Sequence, residues 1–155
     1  IGELPDSNQH AIRVGEVRRV ICASPSYLQT HGRPQHPQDL SGAPVVATSA
    51  IGQLRAWPFL DQGQPLSVRP EPRLVVTSNQ AAVTAACLGL GPTRVLSYQA
   101  AGKVASGELE IVLADFELPP QPIHVVYQGG RKASARVRSF VDFAVKTLRA
   151  NSALS

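Results

Sequence analysis

Short β-branched runs, each followed by a helix-opening signal, constrain this chain more than any other feature. Arg18 to Ala23 reads Arg-Arg-Val-Ile-Cys-Ala, a strand rich in β-branched residues. Ser24-Pro25 then opens a helix. The serine caps it, and the proline suits the first helical position, where its missing N–H has no partner to lose. That helix is expected to end near Gly32. His36-Pro37-Gln38-Asp39-Leu40 predicts a second helical turn closed by Gly42, and Pro44 to Thr48 an apolar strand.

The same grammar continues. Arg73 to Thr77 predicts a strand, and Ser78 or Asn79 caps the next helix. Ala82, Val83, Ala86, Cys87 and Leu90 recur at helical spacing. Gly89 or Gly91 supplies the positive φ that ends it. Thr93 to Leu96 is a strand, Ser97 caps a helix to about Ser106, and Leu109 to Leu113 and Ile123 to Tyr127 are further strands. Residues 1–9 read as strand-end and turn material. Ser49 to Pro72, which holds the only Trp, Trp57, reads as a loop with a hairpin in it. In the last segment Val137, Phe140, Val141, Ala144, Val145 and Leu148 form one apolar stripe, with Ser134 as cap and Arg138 paired to Asp142. Strands alternating with helices define an α/β chain, and Pro119-Pro120-Gln121-Pro122 is its best internal boundary.

A chain of 155 residues, 43% hydrophobic and 17% charged, suffices for one ordinary domain with a core. No apolar run approaches the ~20 residues of a membrane span, and the start lacks an export signal. There is no Met, so the expectation is a piece of a longer protein. The net charge of +4 is scattered, and only Arg18-Arg19 and Arg131-Lys132 are adjacent basic pairs. That reads as a solvated surface without the basic run that direct DNA contact needs.

Nothing in the chain has the pattern of a catalyst. Gly89-Leu90-Gly91 follows a helix instead of opening one, which argues against a phosphate loop. His10, His31, His36 and His124 lack metal-ligand spacing among themselves or with the cysteines. No Gly-x-Ser-x-Gly elbow is present. Asp115 and Glu117 read as a solvated acidic turn. Two cysteines permit a disulfide by count, but Cys22 and Cys87 sit in apolar sequence and read as reduced, packed thiols.

Five segments carry a resemblance. They are Ser78-Asn79-Gln80-Ala81-Ala82, Gly89-Leu90-Gly91-Pro92, Leu96-Ser97-Tyr98-Gln99, the run Pro120 to Tyr127, and the helix-like Arg136 to Phe143. In this order and spacing they resemble the C-terminal effector-sensing half of LysR-type transcriptional regulators. The resemblance covers nearly the whole chain. It implies an α/β, type 2 periplasmic-binding-protein-like fold, mainly the second subdomain plus closing elements of the first. Residues 1–16 would be the crossing strand and turn of the first subdomain, 17–118 the second subdomain, and 119–155 the return strand and C-terminal helix of the first. The opening strands of the first subdomain, the linker helix and the DNA-binding domain would lie outside this chain. The C-terminal helix, short of the surface its stripe covers, would then seek a partner or fray.

By that resemblance a small organic effector, a carboxylate among the candidates, sits in a cleft between the subdomains. The positions that carry over are Glu3 on the first-subdomain side, Thr48 and Ser49 after a strand, Ser78 and Asn79 at a helix start, and Pro92 and Thr93 entering the next strand. Helix N-termini suit anions because their first N–H groups are unpaired. Ser78 and Asn79 serve equally as plain caps, and Trp57 reads as core cover before cleft lining. The resemblance further implies no cofactor and no metal, a homo-oligomer (dimer or tetramer), DNA contact only through an absent domain, no membrane, and a cytoplasmic location. A solute-binding protein of the same fold remains the alternative, and an enzyme on an α/β scaffold a more distant one.

Overall fold

The computed structural model describes residues 1–2, 4, 9–49, 56–129 and 133–154. The chain divides into two compact units, one of residues 1–17 with 119–155 and one of residues 18–118.

In the first unit, β1 (His10–Val17) pairs antiparallel with β9 (Gln121–Tyr127), from His10 opposite Tyr127 to Val17 opposite Gln121. A bulge between Arg13 and Gly15 gives Val14 an extra position, and Val14 is buried. Pro122 lies in this strand, opposite Glu16, in a sheet of only two strands where a missing N–H is tolerated. α4 (Ala135–Arg149) packs on both strands. Ser134 caps it by accepting the Val137 N–H at 3.3 Å. Val141 is buried, whereas Phe140 and Phe143 are 69% and 67% exposed, so the apolar stripe is only partly covered. Arg138 donates to the Ala133 carbonyl at 2.6 Å. Its expected ion pair with Asp142 does not form among the described residues, because the guanidinium is turned toward the helix start.

The second unit is built on a five-stranded sheet in the order β6-β3-β7-β2-β8. These strands are β2 (Arg19–Ala23), β3 (Val45–Thr48), β6 (Pro72–Val76), β7 (Thr93–Leu96) and β8 (Glu110–Val112). β3 runs parallel to β6 and to β7, and β2 runs antiparallel to β7 and β8. The inner strands β3, β7 and β2 are short, buried and largely apolar because both sheet faces are covered there, whereas the edge strand β6 is mostly exposed. On one face, α2 (Asn79–Cys87) and α3 (Ser97–Ala105) bring Val83, Ala86 and Ala100 against Val20, Cys22 and Val95. On the other, α1 (Pro25–His31), the 3-10 turn Pro37–Gly42 and the hairpin β4 (Trp57–Asp61)–β5 (Gln64–Val68) cover Ile21, Val45 and Val112. Trp57 is among the most deeply buried side chains of this second cluster, a core residue as its sequence position indicated.

The caps follow local chemistry. Ser24 accepts the Tyr27 N–H at 3.3 Å, with Pro25 as the first helical residue. Ser97 departs from expectation. Its hydroxyl accepts the Arg18 N–H at 3.2 Å, and Gln99 instead closes the start of α3 by accepting the Leu96 N–H at 3.0 Å. Gly91 has φ +144°, and a Cβ there would lie 1.9 Å from the Pro44 carbonyl oxygen. Only glycine lets the chain enter β7 so close to β3, where the Val46 N–H then reaches the Pro92 carbonyl at 2.9 Å. Both cysteines are free thiols.

Candidate functional site

Strand direction decides where polar side chains gather. β3, β6 and β7 are parallel, so Thr48, Val76 and Leu96 finish at one edge of the sheet. Ser49 follows β3 there, its N–H 2.9 Å and its hydroxyl 3.4 Å from the Val76 carbonyl. Ser78 follows β6 and caps α2, its hydroxyl accepting the Ala81 N–H at 3.2 Å. Asn79 is the first helical residue. Ser49 and Ser78 are exposed, Asn79 is half-buried and Thr48 is buried. This edge therefore presents two hydroxyls and the dipole-positive start of a nine-residue helix, a combination suited to an anion or a polar ligand head.

Pro92 and Thr93 do not join that group. They stand at the start of β7, and a parallel strand's start lies at the edge opposite its end. Thr93 is fully buried, its carbonyl facing the Cys22 thiol at 3.9 Å, and its hydroxyl has no partner among the described residues. Pro92 lines a different cavity of about 180 Å³ with Tyr27, His31, Arg33, Asp39 and Leu40. There the His31 ring stacks on Tyr27 at 4.3 Å. The Asp39 carboxylate accepts the His36 and Gln35 N–H groups, and these bonds hold it below the usual carboxylate range. Glu3 lies outside the described residues.

Two further features bear on this unit. Glu117 was read as part of a solvated turn, but its side chain is 9% exposed and pairs with Arg18 at 2.8 Å. Burial pushes its carboxyl above the usual range, against the pull of Arg18. Arg94, in the middle of β7, is 6% exposed and has no hydrogen-bond or ion-pair partner among the described residues. Burial, with a smaller contribution from Arg19, pulls its guanidinium down to about 10. The sequence signal was present: an arginine inside an apolar strand, between Thr93 and Val95. Among the described residues no group of three His, Cys, Asp or Glu is placed to hold a metal, and no helix is long and apolar enough to cross a membrane.

This is the fold of the type 2 periplasmic-binding-protein class, as found in the regulatory domains of bacterial transcription regulators. The LysR substrate binding domain family matches residues 1–149, and the chain belongs to that family. An HTH-type transcriptional regulator of Xanthomonas campestris pv. campestris is 35% identical over 152 residues, 96% of this chain and 44% of the relative. The HTH-type transcriptional regulator CrgA of Neisseria meningitidis is 31% identical over 153 residues, 97% of this chain and 50% of the relative. The chain thus spans about half the length of the curated relatives it matches. The solved CrgA regulatory domain superposes with a TM-score of 0.78 at 30% identity, covering 95% of this chain and 72% of that one. The regulatory domain of AphB from Vibrio vulnificus, at 24% identity, shares the fold with a TM-score of 0.81, covering 92% of this chain and 71% of that one. These relatives are transcriptional regulators, which favours the regulatory reading over solute uptake.

Proposed function

We propose that this chain is the effector-sensing part of a LysR-type, DNA-binding transcriptional regulator. A small organic molecule binds at the strand edge carrying Thr48, Ser49, Ser78 and Asn79. Binding alters the homo-oligomer, dimer or tetramer, and through it promoter affinity. DNA is held by a domain outside these residues, and the protein works in the cytoplasm without catalysing a reaction. The observation that carries this reading is family membership over residues 1–149, with transcriptional regulators as relatives. The edge chemistry supports it independently, since exposed hydroxyls beside a helix start favour a ligand over a packed core.

A ligand acts as an effector only through different affinity for two arrangements of the protein. The test is a metabolite screen for compounds that raise the chain's melting midpoint, followed by sedimentation of the full-length protein with each hit. The reading expects hits that lose their effect in Ser49→Ala/Ser78→Ala and that shift the oligomer distribution. Hits that stabilise the double variant as well as the parent would place the ligand elsewhere.

A further inference from the structure

The cavity that Pro92 lines stands apart from the edge of Ser49 and Ser78. It measures about 180 Å³, and all its lining residues belong to the second unit. Its floor is buried and largely apolar: Tyr27 from α1, Leu40 from the 3-10 turn and Pro92 at the entry of β7. Its rim is polar and exposed, made of His31, Arg33 and Asp39. A cavity of about 150 Å³ accepts one benzene-sized ring, so this one has room for a ring or a short chain.

Two groups here have bonding capacity left over. Tyr27 is only 5% exposed, and its hydroxyl makes no hydrogen bond among the described residues. The His31 ring stacked on it at 4.3 Å and the surrounding core hold the phenol in place. A buried hydroxyl without a partner is destabilising, and a ligand in the space it borders would complete it. Asp39 is the second group. It accepts the Gln35 and His36 N–H groups, both at Oδ2, and Oδ1 has no partner among the described residues. The same bonds keep this carboxylate ionised. Arg33, the cation of the rim, is already engaged. It pairs with the Glu110 carboxylate on β8 and reaches the Ile111 carbonyl at 3.5 Å. His31 turns Nδ1 to the Tyr27 carbonyl at 3.3 Å, which makes Nε2 an acceptor in the neutral ring. The uncommitted groups of this cavity therefore accept hydrogen bonds, and its uncommitted charge is negative.

We propose that this cavity is a second ligand site, for a small organic amine with an apolar body. The Asp39 carboxylate supplies a charge-assisted hydrogen bond to the ammonium group, and the Tyr27 hydroxyl a further acceptor. Leu40 and Pro92 give the apolar body its floor. An acid is disfavoured, because Asp39 repels it and Arg33 is committed to Glu110. The site lies where β7 begins, not where it ends, so it does not depend on the sensing reading.

The experiment titrates the ¹⁵N-labelled chain at pH 7 with benzylamine, cyclohexylamine, benzyl alcohol and benzoate, following backbone amides by NMR. The amines are expected to shift the Gly32, Asp39 and Leu40 signals to saturation and to leave those of Ser78 and Asn79 in place. Benzyl alcohol keeps the shape without the charge and should bind at least about tenfold more weakly than benzylamine. Asp39→Asn should weaken both amines by a similar factor. It keeps an oxygen for the Gln35 and His36 N–H groups, so the turn persists. Tyr27→Phe retains the stacked ring and should weaken the amines about threefold. Ser49→Ala/Ser78→Ala should bind them like the parent, which separates this result from the sensing reading. Shifts at Gly32 and Asp39 that never saturate with either amine would overturn the proposal. Benzyl alcohol or benzoate binding as tightly as benzylamine would overturn the ligand class. Amines that bind Asp39→Asn and Tyr27→Phe as tightly as the parent, or that shift Ser78 and Asn79 in place of Gly32, would overturn the site.

Discussion

Gly91→Ala tests how tightly the candidate edge depends on the entry of β7. The backbone at Gly91 has φ +144°, and an added Cβ would fall 1.9 Å from the Pro44 oxygen and 2.9 Å from its carbon. Both contacts are backbone, so no side chain can swing aside. Relief requires β7 to move from β3, which stretches the 2.9 Å Val46–Pro92 hydrogen bond. Adverse φ costs about 1–3 kcal/mol, and overpacking of a tight site about another 1–3 kcal/mol. A loss of about 2–6 kcal/mol is therefore expected, with the melting midpoint falling by roughly 2–4 °C for each kcal/mol in a domain this size. Gly107→Ala is the control. Its φ is +74°, but nothing lies within 4 Å of the added Cβ, so its cost is the backbone term alone. The assay is urea unfolding followed by fluorescence of Trp57, the single tryptophan, which is buried in the same unit. A Gly91→Ala chain that loses no more stability than Gly107→Ala would refute the steric argument.

Three further outcomes follow from the geometry. Ser78→Ala removes the acceptor of the Ala81 N–H and should cost about 1 kcal/mol in the same urea assay, whereas Ser49→Ala should stay within about 0.5 kcal/mol. Burial pushes the Cys22 thiol up to about 12, so at pH 8 a thiol reagent should label the partly exposed Cys87 first and reach Cys22 only on unfolding. Glu117 has a raised carboxyl pKa in the folded state, so the native chain binds more protons than the unfolded one. Its contribution must decline as pH rises through the ordinary glutamate range, around 4.3, and Glu117→Gln should gain on the parent between pH 4 and 7. A parent that gains on Glu117→Gln over that window would show the Arg18 pairing to outweigh burial.

Local chemistry was legible in the sequence, and long-range chemistry was not. The Ser24-Pro25 and Ser78 caps, the Gly32 stop and the run of short strands are set by neighbours one to four residues away, so spacing alone exposes them. Trp57 was readable as core because a lone indole in a Pro- and Gly-rich stretch has most to gain from burial. Ser97 has the sequence of a cap, yet its hydroxyl serves Arg18, 79 positions away. Glu117 looked solvated because its partner, Arg18, lies 99 positions off. At the candidate site, Thr48, Ser49, Ser78 and Asn79 follow or open elements on one edge, which strand–helix order makes visible. Pro92 and Thr93 precede a strand, and parallel direction carries them to the opposite edge. Arg94 was passed over because a single basic residue in a strand gives no hint of whether an acid faces it.

In the proposed sensing role, ligand binding at this domain governs DNA binding by the whole protein. The direct measurement is fluorescence anisotropy of the full-length regulator on its promoter fragment, with and without a compound that stabilises this chain. A shift in affinity, or in the complex formed, that disappears in Ser49→Ala/Ser78→Ala is the predicted result. Identical promoter binding curves with every stabilising compound bound would contradict it.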